Sequence, residues 1–431
     1  MKKTVLIAAF MVLALLCACA GEKHTAYSGQ EGSINESSAV VSEIKKEEER
    51  KVINHTDLKG IWVSQFDMES VYKKGGVQRS MEEYRAAAAR IVRDISDMGF
   101  NTVFLQIRPN GDSFCKSEIF PASRYVTGKY GRELEYDPVD IFLEEAHALS
   151  LSVQAWINPM RLMTPEEVKL IDARFAVRRM YEAGELVEFE GRLYLDPARG
   201  DALALVLDGA REALLDHAFD GLHIDDYFYP TQEEWFDKAT FAASGESSLE
   251  KFRINNINAL VRGLYRTAKS VDERLVFGVS PAGNLGSVVQ KYSADVYEWC
   301  SRRGYLDYIL PQLYFGLEHG VCPFDAEAAK WAGIIKNPEV KLYIGMSLGK
   351  AVAGSKDEED KWASTPEGKR EWIEHKDVLA RCMRYLSEWG KADGWCFFCL
   401  SYFIDPLTGE PNPYSASETA GIEPYIKGEL S

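Results

Sequence analysis

The chain has 431 residues, 46% hydrophobic and 27% charged, enough to enclose a large core and too much for one small domain. Fifty Lys and Arg stand against 66 Asp and Glu, a formal charge of -16, with no basic run after the first few residues. That balance argues against nucleic acid or an anionic membrane surface as partner and leaves a neutral ligand as the expectation.

The chain opens MKKTVLIAAFMVLALLCACAG, a Lys pair followed by an apolar stretch from Val5 to Leu16 and then small residues. This is the layout of a secretory signal, too short to span a bilayer as a mature helix. Leu16-Cys17-Ala18-Cys19 looks like a bacterial lipobox and makes Cys19 the expected lipid-bearing residue of a membrane-anchored envelope protein. Cys17, preceded by larger residues, is the weaker alternative, and an ordinary cleaved signal is the bland one. Residues 20–55 are rich in Ser, Glu and Lys, end near the charge run KKEEERK, and read as a disordered tether.

From there, short β-rich runs alternate with helical patterns. The runs are GIWVSQ (60–65), TVFLQIRP (102–109), LSVQAWIN (151–158), GLHIDDYF (221–228), RLVFGVSP (274–281), YILPQLY (308–314), KLYIGMSL (341–348) and GWCFFCLSY (394–402). Between them lie helical stretches such as MEEYRAAAARIVRDISDMG and DALALVLDGAREALLDHA. Eight strands with intervening helices predict an α/β fold, a (β/α)8 TIM barrel over residues 56–405 with long loops, followed by an extension over 406–431 packed on the barrel. Cys396 and Cys399 form a CxxC within the last run, where positions three apart should face opposite ways; buried thiols are expected there.

Strand parity then sorts residues by face. In the second run Val103, Leu105 and Ile107 should face the helices, which leaves Phe104, Gln106 and Arg108 inward. The same alternation turns Gln154, Trp156 and Asn158 inward, then His223 and Asp225, then Gln312 and Tyr314. Purely structural barrel strands carry branched apolar residues inward, whereas these carry polar groups close to their C-terminal ends, where barrel active sites are built. Asp225 should point into the mouth, and Asp226 sits where strand gives way to loop and parity no longer binds it. Two carboxylates followed by Tyr227, Phe228, Tyr229 and Pro230 make a poor solvated cap and suit glycoside hydrolysis, in which one acid protonates the departing oxygen and another stabilises or attacks the oxocarbenium-like centre.

Other residues carry two readings each. Arg108 serves either as an ion-pair partner of the Asp pair or as a substrate ligand; Asn158, before Pro159, binds substrate or shapes a turn. His223, one layer below Asp225, reads more readily as a satisfied core histidine than as a proton shuttle. No HxH, HExxH or clustered His pattern appears, and no phosphate cradle, so neither metal nor cofactor is expected.

The segments QIRPNGDSFC (106–115), AWINPMR (155–161), YLDPAR (194–199), FDGLHIDDYFYP (219–230), VSPAGN (279–284) and DYILPQLYF (307–315) resemble the motif series of the glycosyl hydrolase-like family ten, a bacterial envelope group. The resemblance covers nearly the whole barrel. It implies a barrel fold and a glycan substrate, with peptide-free peptidoglycan strands among the possibilities. Asp225 and Asp226 are then the expected catalytic pair, with Arg108, Asn110, Asp112, Trp156, Asn158, Arg161, His223, Tyr227, Gln312 and Tyr314 as substrate contacts. A remoter likeness is to the chitinase-type DGxDxDxE: Asp220 and Asp225 match its first and third acids, but His223 replaces the second and Tyr227 the Glu. That departure argues against the chitinase mechanism and leaves the proton donor as Asp226 or a loop acid, Asp112, Glu118 or Glu318. The alternative from another class is a carbohydrate-binding lipoprotein that uses the same groove without catalysis.

Overall fold

The computed structural model describes residues 51–430 apart from Tyr227. The expected signal, Cys19 and most of the tether therefore lie outside the described residues. Eight parallel strands close into a barrel in chain order: β1 (Leu58–Val63), β2 (Thr102–Arg108), β3 (Ser152–Ile157), β4 (Gly221–Ile224), β5 (Val276–Val279), β6 (Tyr308–Ile309), β7 (Lys341–Ser347) and β8 (Gly394–Phe398), with β8 pairing back onto β1. All eight predicted strands exist. Seven are shorter than their sequence runs, and in two of these the shortening falls where chemistry begins. After Ile224 the chain leaves the sheet at the Asp pair, and after Ile309 only single bridges from Gln312 to Ala282 and Gly345 remain, because Pro311 has no N–H to give the ladder.

The crossover helices form an outer layer. Those used below are α1 (Gln65–Tyr72), α2 (Met81–Met98), α3 (Pro138–Ala148), α4 (Gly200–Asp216), α5 (Leu249–Val271), α6 (Val378–Trp389) and α7 (Ala416–Ile426). α2 shows why such segments fold where they do. Ser80 caps its first turn beside Glu82 and Glu83, Gly99 ends it at φ 99°, and Tyr84, Ala88, Ile91, Val92 and Ile95 make one buried face. α7, beyond the last strand, buries Ile422 and Ile426 and packs beside α6.

Packing has two layers. The outward residues predicted from parity, Val103, Leu105, Ile107, Val153, Ala155, Ile157, Leu222 and Ile224, all belong to the large core between sheet and helices. A smaller apolar cluster that includes Trp62, Phe104, Trp156, Tyr308 and Tyr343 fills the barrel itself. Cys396 and Cys399 both sit in this inner cluster, as free thiols, instead of facing opposite ways. The strand ends at Phe398, so alternation stops before Cys399.

The barrel's contacts also begin earlier than residue 56. Ile53 donates its N–H to Asp220 Oδ1 at 2.7 Å, and Asn54 Nδ2 bonds Arg274 O at 2.9 Å. Asp220 is fully buried at the start of β4, where it also accepts from Val153 N at 2.7 Å and contacts His147 Nε2 at 3.0 Å. The acid that matched the first position of the chitinase-type motif therefore ties strands and N-terminal segment together, at the opposite end of β4 from the Asp pair.

Candidate active site

The C-terminal ends of the strands surround a cavity of about 210 Å³ whose wall includes Trp62, Gln65, Phe66, Arg161, Asp225 and Asp226. Asp225 is the first residue past β4 and is 4% exposed. Asn158 Nδ2 lies 2.7 Å from both of its oxygens, and Trp156 Nε1 donates to Oδ2 at 3.2 Å. A carboxylate that only accepts is matched here by groups that only donate.

The donors are themselves fixed. Asn158 turns its Nδ2 to Asp225, so its Oδ1 faces Gln106, whose Nε2 donates at 2.7 Å. Gln106 Oε1 in turn accepts the backbone N–H of Gln65 at 2.8 Å. With a carboxylate at one end and a backbone N–H at the other, neither amide can flip without losing a bond. Gln65 opens α1, whose capping box between Ser64 and Asp67 holds that N–H in place, and Asp67 also accepts from Ser401 N at 2.9 Å, which joins the loops after β1 and β8.

Asp226 stands in a different environment. It is partly exposed on the same cavity, and the apolar surroundings push its carboxyl up to about 6, against the opposing pull of its own backbone N–H and of Gln312. Gln312 is held from behind by its Nε2 bond to Ser280 O at 3.0 Å. Burial pushes the phenol of Tyr314 well above its ordinary range, reinforced by Cys396, Asp226, Cys399 and Asp225, so it stays a neutral hydroxyl over the acids. Two neighbouring carboxyl groups thus sit in one cavity, the first held by fixed N–H donors and the second pushed up to about 6. That is the arrangement expected of an acid and its anionic partner.

Of the residues expected at the site, Asp225, Asp226, Trp156, Arg161, Gln312 and Tyr314 line the cavity. Asn158 sits behind Asp225, and Asn110 one step farther back, bonded to Arg192 Nη1 at 2.7 Å and to Gln65 Oε1 at 3.5 Å. Tyr227 lies outside the described residues. Five of the residues named above lie elsewhere. Arg108 does not reach the mouth, because the register between β2 and β3 shifts between Gln106 and Arg108: Arg108 pairs with Ile157 and turns outward with it. There its guanidinium lies 4.0 Å over Phe120 and donates to Gly209 O of α4 at 3.0 Å. Asp112 is fully buried, accepts from Tyr130 OH at 2.8 Å and Asn110 N at 3.0 Å, and shapes the loop after β2. His223 is also fully buried beneath the mouth. Trp62 Nε1 donates to its Nε2 at 3.2 Å, which leaves Nδ1 to donate to Tyr308 OH at 3.0 Å, and burial lowers its pKa to about 3, so it is a neutral floor residue. Among the loop acids, Glu118 lines a separate depression and Glu318 faces Arg381 and His375 at 3.6 Å each.

Ser64, Gln65, Phe66 and Phe398 line the cavity and were not selected from the sequence. For Ser64 the signal was present in the first strand run, where the same parity test puts Trp62 and Ser64 inward. Phe66, 68% exposed at the rim, offers a flat apolar face of the kind on which sugar rings stack.

A closed eight-stranded barrel with paired carboxylates at its C-terminal mouth and an aromatic rim defines the class: a TIM barrel of the glycoside hydrolase type. Residues 57–364 match the family described as Glycosyl hydrolase-like 10, and the chain belongs to that family. It is 30% identical over 317 residues to glycosyl hydrolase YngK of Bacillus subtilis (strain 168), covering 68% of this chain and 61% of that protein, so it spans less than two thirds of that relative's length. It is also 30% identical over 334 residues to glycosyl hydrolase DigH of Escherichia coli (strain K12), covering 70% of this chain and 76% of that one. Among solved structures, the PgaB (BpsB) glycoside hydrolase domain from Bordetella bronchiseptica shares the fold with a TM-score of 0.55 at 11% identity, over 86% of this chain and 99% of that one.

Proposed function

We propose that this protein hydrolyses O-glycosidic bonds in a polysaccharide of the bacterial cell envelope, with Asp226 as proton donor and Asp225 as the anionic partner. The carrying observation is the contrast between the two acids: Asp225 accepts three N–H contacts from Asn158 and Trp156, while Asp226 next to it is pushed up to about 6. Asp226 gives its proton to the glycosidic oxygen as the carbon–oxygen bond breaks. Asp225 meets the positive charge that develops at the anomeric carbon, either through space or by bonding to it, and a water molecule that completes hydrolysis returns a proton to Asp226. A pure carbohydrate binder has no use for a second acid tuned to hold a proton, which favours the enzyme over the binding-lipoprotein reading.

The apolar leader and the Leu16-to-Cys19 segment support export and lipid anchoring, and the motif series supports peptide-free peptidoglycan strands as substrate. The test is to incubate the chain with a panel of polysaccharides, those strands included, and assay new reducing ends beside an Asp225→Asn control. Release from at least one glycan that the control fails to give supports the reading. Binding without release from any of them would favour the binder.

A further inference from the structure

A second aromatic surface stands beside the mouth, built by two segments that play no part in the acid pair. The stretch after β3 that carries Arg161 on the cavity wall is joined by a hairpin, Val187–Phe189 and Arg192–Tyr194. The joining bonds run from Leu162 N to Leu193 O at 2.9 Å, from Leu193 N to Met163 O at 3.1 Å and from Leu195 N to Met160 O at 2.9 Å. Tyr194 is thereby the direct cross-strand partner of Arg161. Its ring meets Phe189 at a centroid distance of 6.4 Å, and Phe189 meets Trp235, from the loop after β4, at 6.2 Å. The set closes through Phe236, 6.1 Å from Trp235 and 6.4 Å from Tyr194. Phe236 is buried, whereas Trp235 is 49% exposed and Phe189 and Tyr194 are half-buried.

We propose that Tyr194, Phe189 and Trp235 form an outer sugar subsite, a shelf on which rings of the same polysaccharide stack beyond the unit held in the mouth. The proposal rests on the reading of the mouth as a glycan-cleaving site. A cavity of about 210 Å³ is small beside the roughly 300–1,000 Å³ of pockets that enclose a drug-sized ligand, so most of a polysaccharide must run over the surface outside it. Arg161 lines the cavity and its cross-strand partner is the first ring of the shelf, so the two surfaces adjoin. Single surface aromatics need no explanation, but a contiguous exposed set next to a substrate cavity marks a binding surface. Sugar rings offer flat apolar faces, and Trp and Tyr supply rigid contact area with few rotamers to freeze and a polar atom for the hydroxyls at the ring edge.

The shelf is preformed. Trp235 stands in the loop that opens with Asp225 and Asp226, and Arg253 of α5 fixes the far end of that loop. Its Nε and Nη2 meet Asp237 Oδ2 and Oδ1 at 2.8 and 2.7 Å, with both residues buried, and Nη2 also donates to Glu233 O at 2.8 Å. Buried Tyr229 packs on Phe236 at 5.8 Å. The rings are thus held before any sugar arrives, and little ordering accompanies binding. Exposed acids flank them in the chain, Glu188 and Glu190 beside Phe189, Glu233 and Glu234 before Trp235. Such acids oppose an anionic lipid surface as the occupant, whereas an uncharged or sparsely charged glycan meets no such barrier.

The test uses the full chain in the Asp225→Asn background, with Trp235→Ala and Phe189→Ala added singly. The probes are peptide-free peptidoglycan strands, as long chains and as the tetrasaccharide, and affinity is read by calorimetric titration. The expected result is that each substitution lowers the ratio of long-strand to tetrasaccharide affinity about tenfold, the scale of one lost aromatic stack. An unchanged ratio overturns the shelf, as do long strands that bind the parent no better than the tetrasaccharide; cleavage by the chain with Asp225 intact then still upholds the hydrolase. A lowered ratio without any cleavage keeps the shelf and sinks the hydrolase instead. A dimer in sedimentation velocity that Trp235→Ala dissolves overturns the proposal in favour of a second copy as occupant. If Phe189→Ala fails to fold, the exposed Trp235 decides alone.

Discussion

Asn158 holds both oxygens of Asp225 at 2.7 Å with a single amide nitrogen, a nitrogen that is itself aimed by Gln106. The charge on Asp225 is thereby matched by fixed donors. Asp225→Asn keeps the shape but turns an acceptor into a group that competes with Asn158 and Trp156. Turnover should fall by two or more orders of magnitude while folding and glycan binding persist. A purified variant with a wild-type circular dichroism spectrum and a rate within threefold of the parent would sink the assignment.

Gln106 bonds Asn158, which in turn holds Asp225, so its replacement tests positioning. Gln106→Ala frees the Asn158 amide to rotate and should cost about ten- to a hundredfold in kcat with a smaller change in KM, the scale of a catalytic group misplaced by about an ångström. An unchanged kcat would mean that Asn158 is held by other contacts.

For Asp226 the pH dependence carries the information. As proton donor with a pKa of about 6, it should give a rate that falls as pH rises through 6, and Asp226→Asn should flatten that limb as well as lowering the rate. Stability has its own sign. A carboxyl whose folded pKa is raised binds its proton more tightly in the native state, so its contribution is favourable below the unfolded value near 3.9 and is lost as pH climbs to 6. Asp226→Asn should therefore stabilise the fold at pH 7, by up to about 3 kcal/mol, and do nothing at pH 3. Thermal unfolding of both proteins at the two pH values checks this.

Arg108 points to α4, so Arg108→Met should leave kcat and KM within threefold of the parent, any cost appearing in thermal unfolding alone. A KM raised tenfold or more would restore the substrate-ligand reading of this residue.

The lipobox reading predicts that Cys19→Ala moves the protein from the membrane fraction to a soluble pool. Persistence in the membrane fraction, followed by immunoblot, would show that something other than Cys19 holds it there.

Much of this architecture was legible because a parallel barrel writes itself twice in the chain, as alternating element lengths and as parity within each strand. Val103 and Leu222 face the helices for the same reason that Phe104 and His223 face inward, and Asp225 follows from that count. The count fails wherever the ladder is irregular. One extra residue between Gln106 and Arg108 turned the Arg around, and the early end of β8 at Phe398 brought Cys399 inside. Nor does parity report depth. His223 and Asp112 point to the correct regions but are sealed from the cavity, a matter of how neighbours such as Trp62 and Tyr130 pack over them. Phe66 lay just past a strand end, in the first turn of α1, where strand parity no longer applies.

The shift at Arg108 also settles the electrical character of the mouth. With that guanidinium spent on Phe120 and Gly209, the charged side chains on the cavity wall are Arg161, Asp225 and Asp226, one cation to two acids. A sugar carrying a single carboxylate finds one side of the opening at which it is tolerated. A polyanion, with charge on every residue, must bring the rest of it past the acids. Charge density is therefore the property by which this opening should discriminate among glycans before any hydroxyl is read.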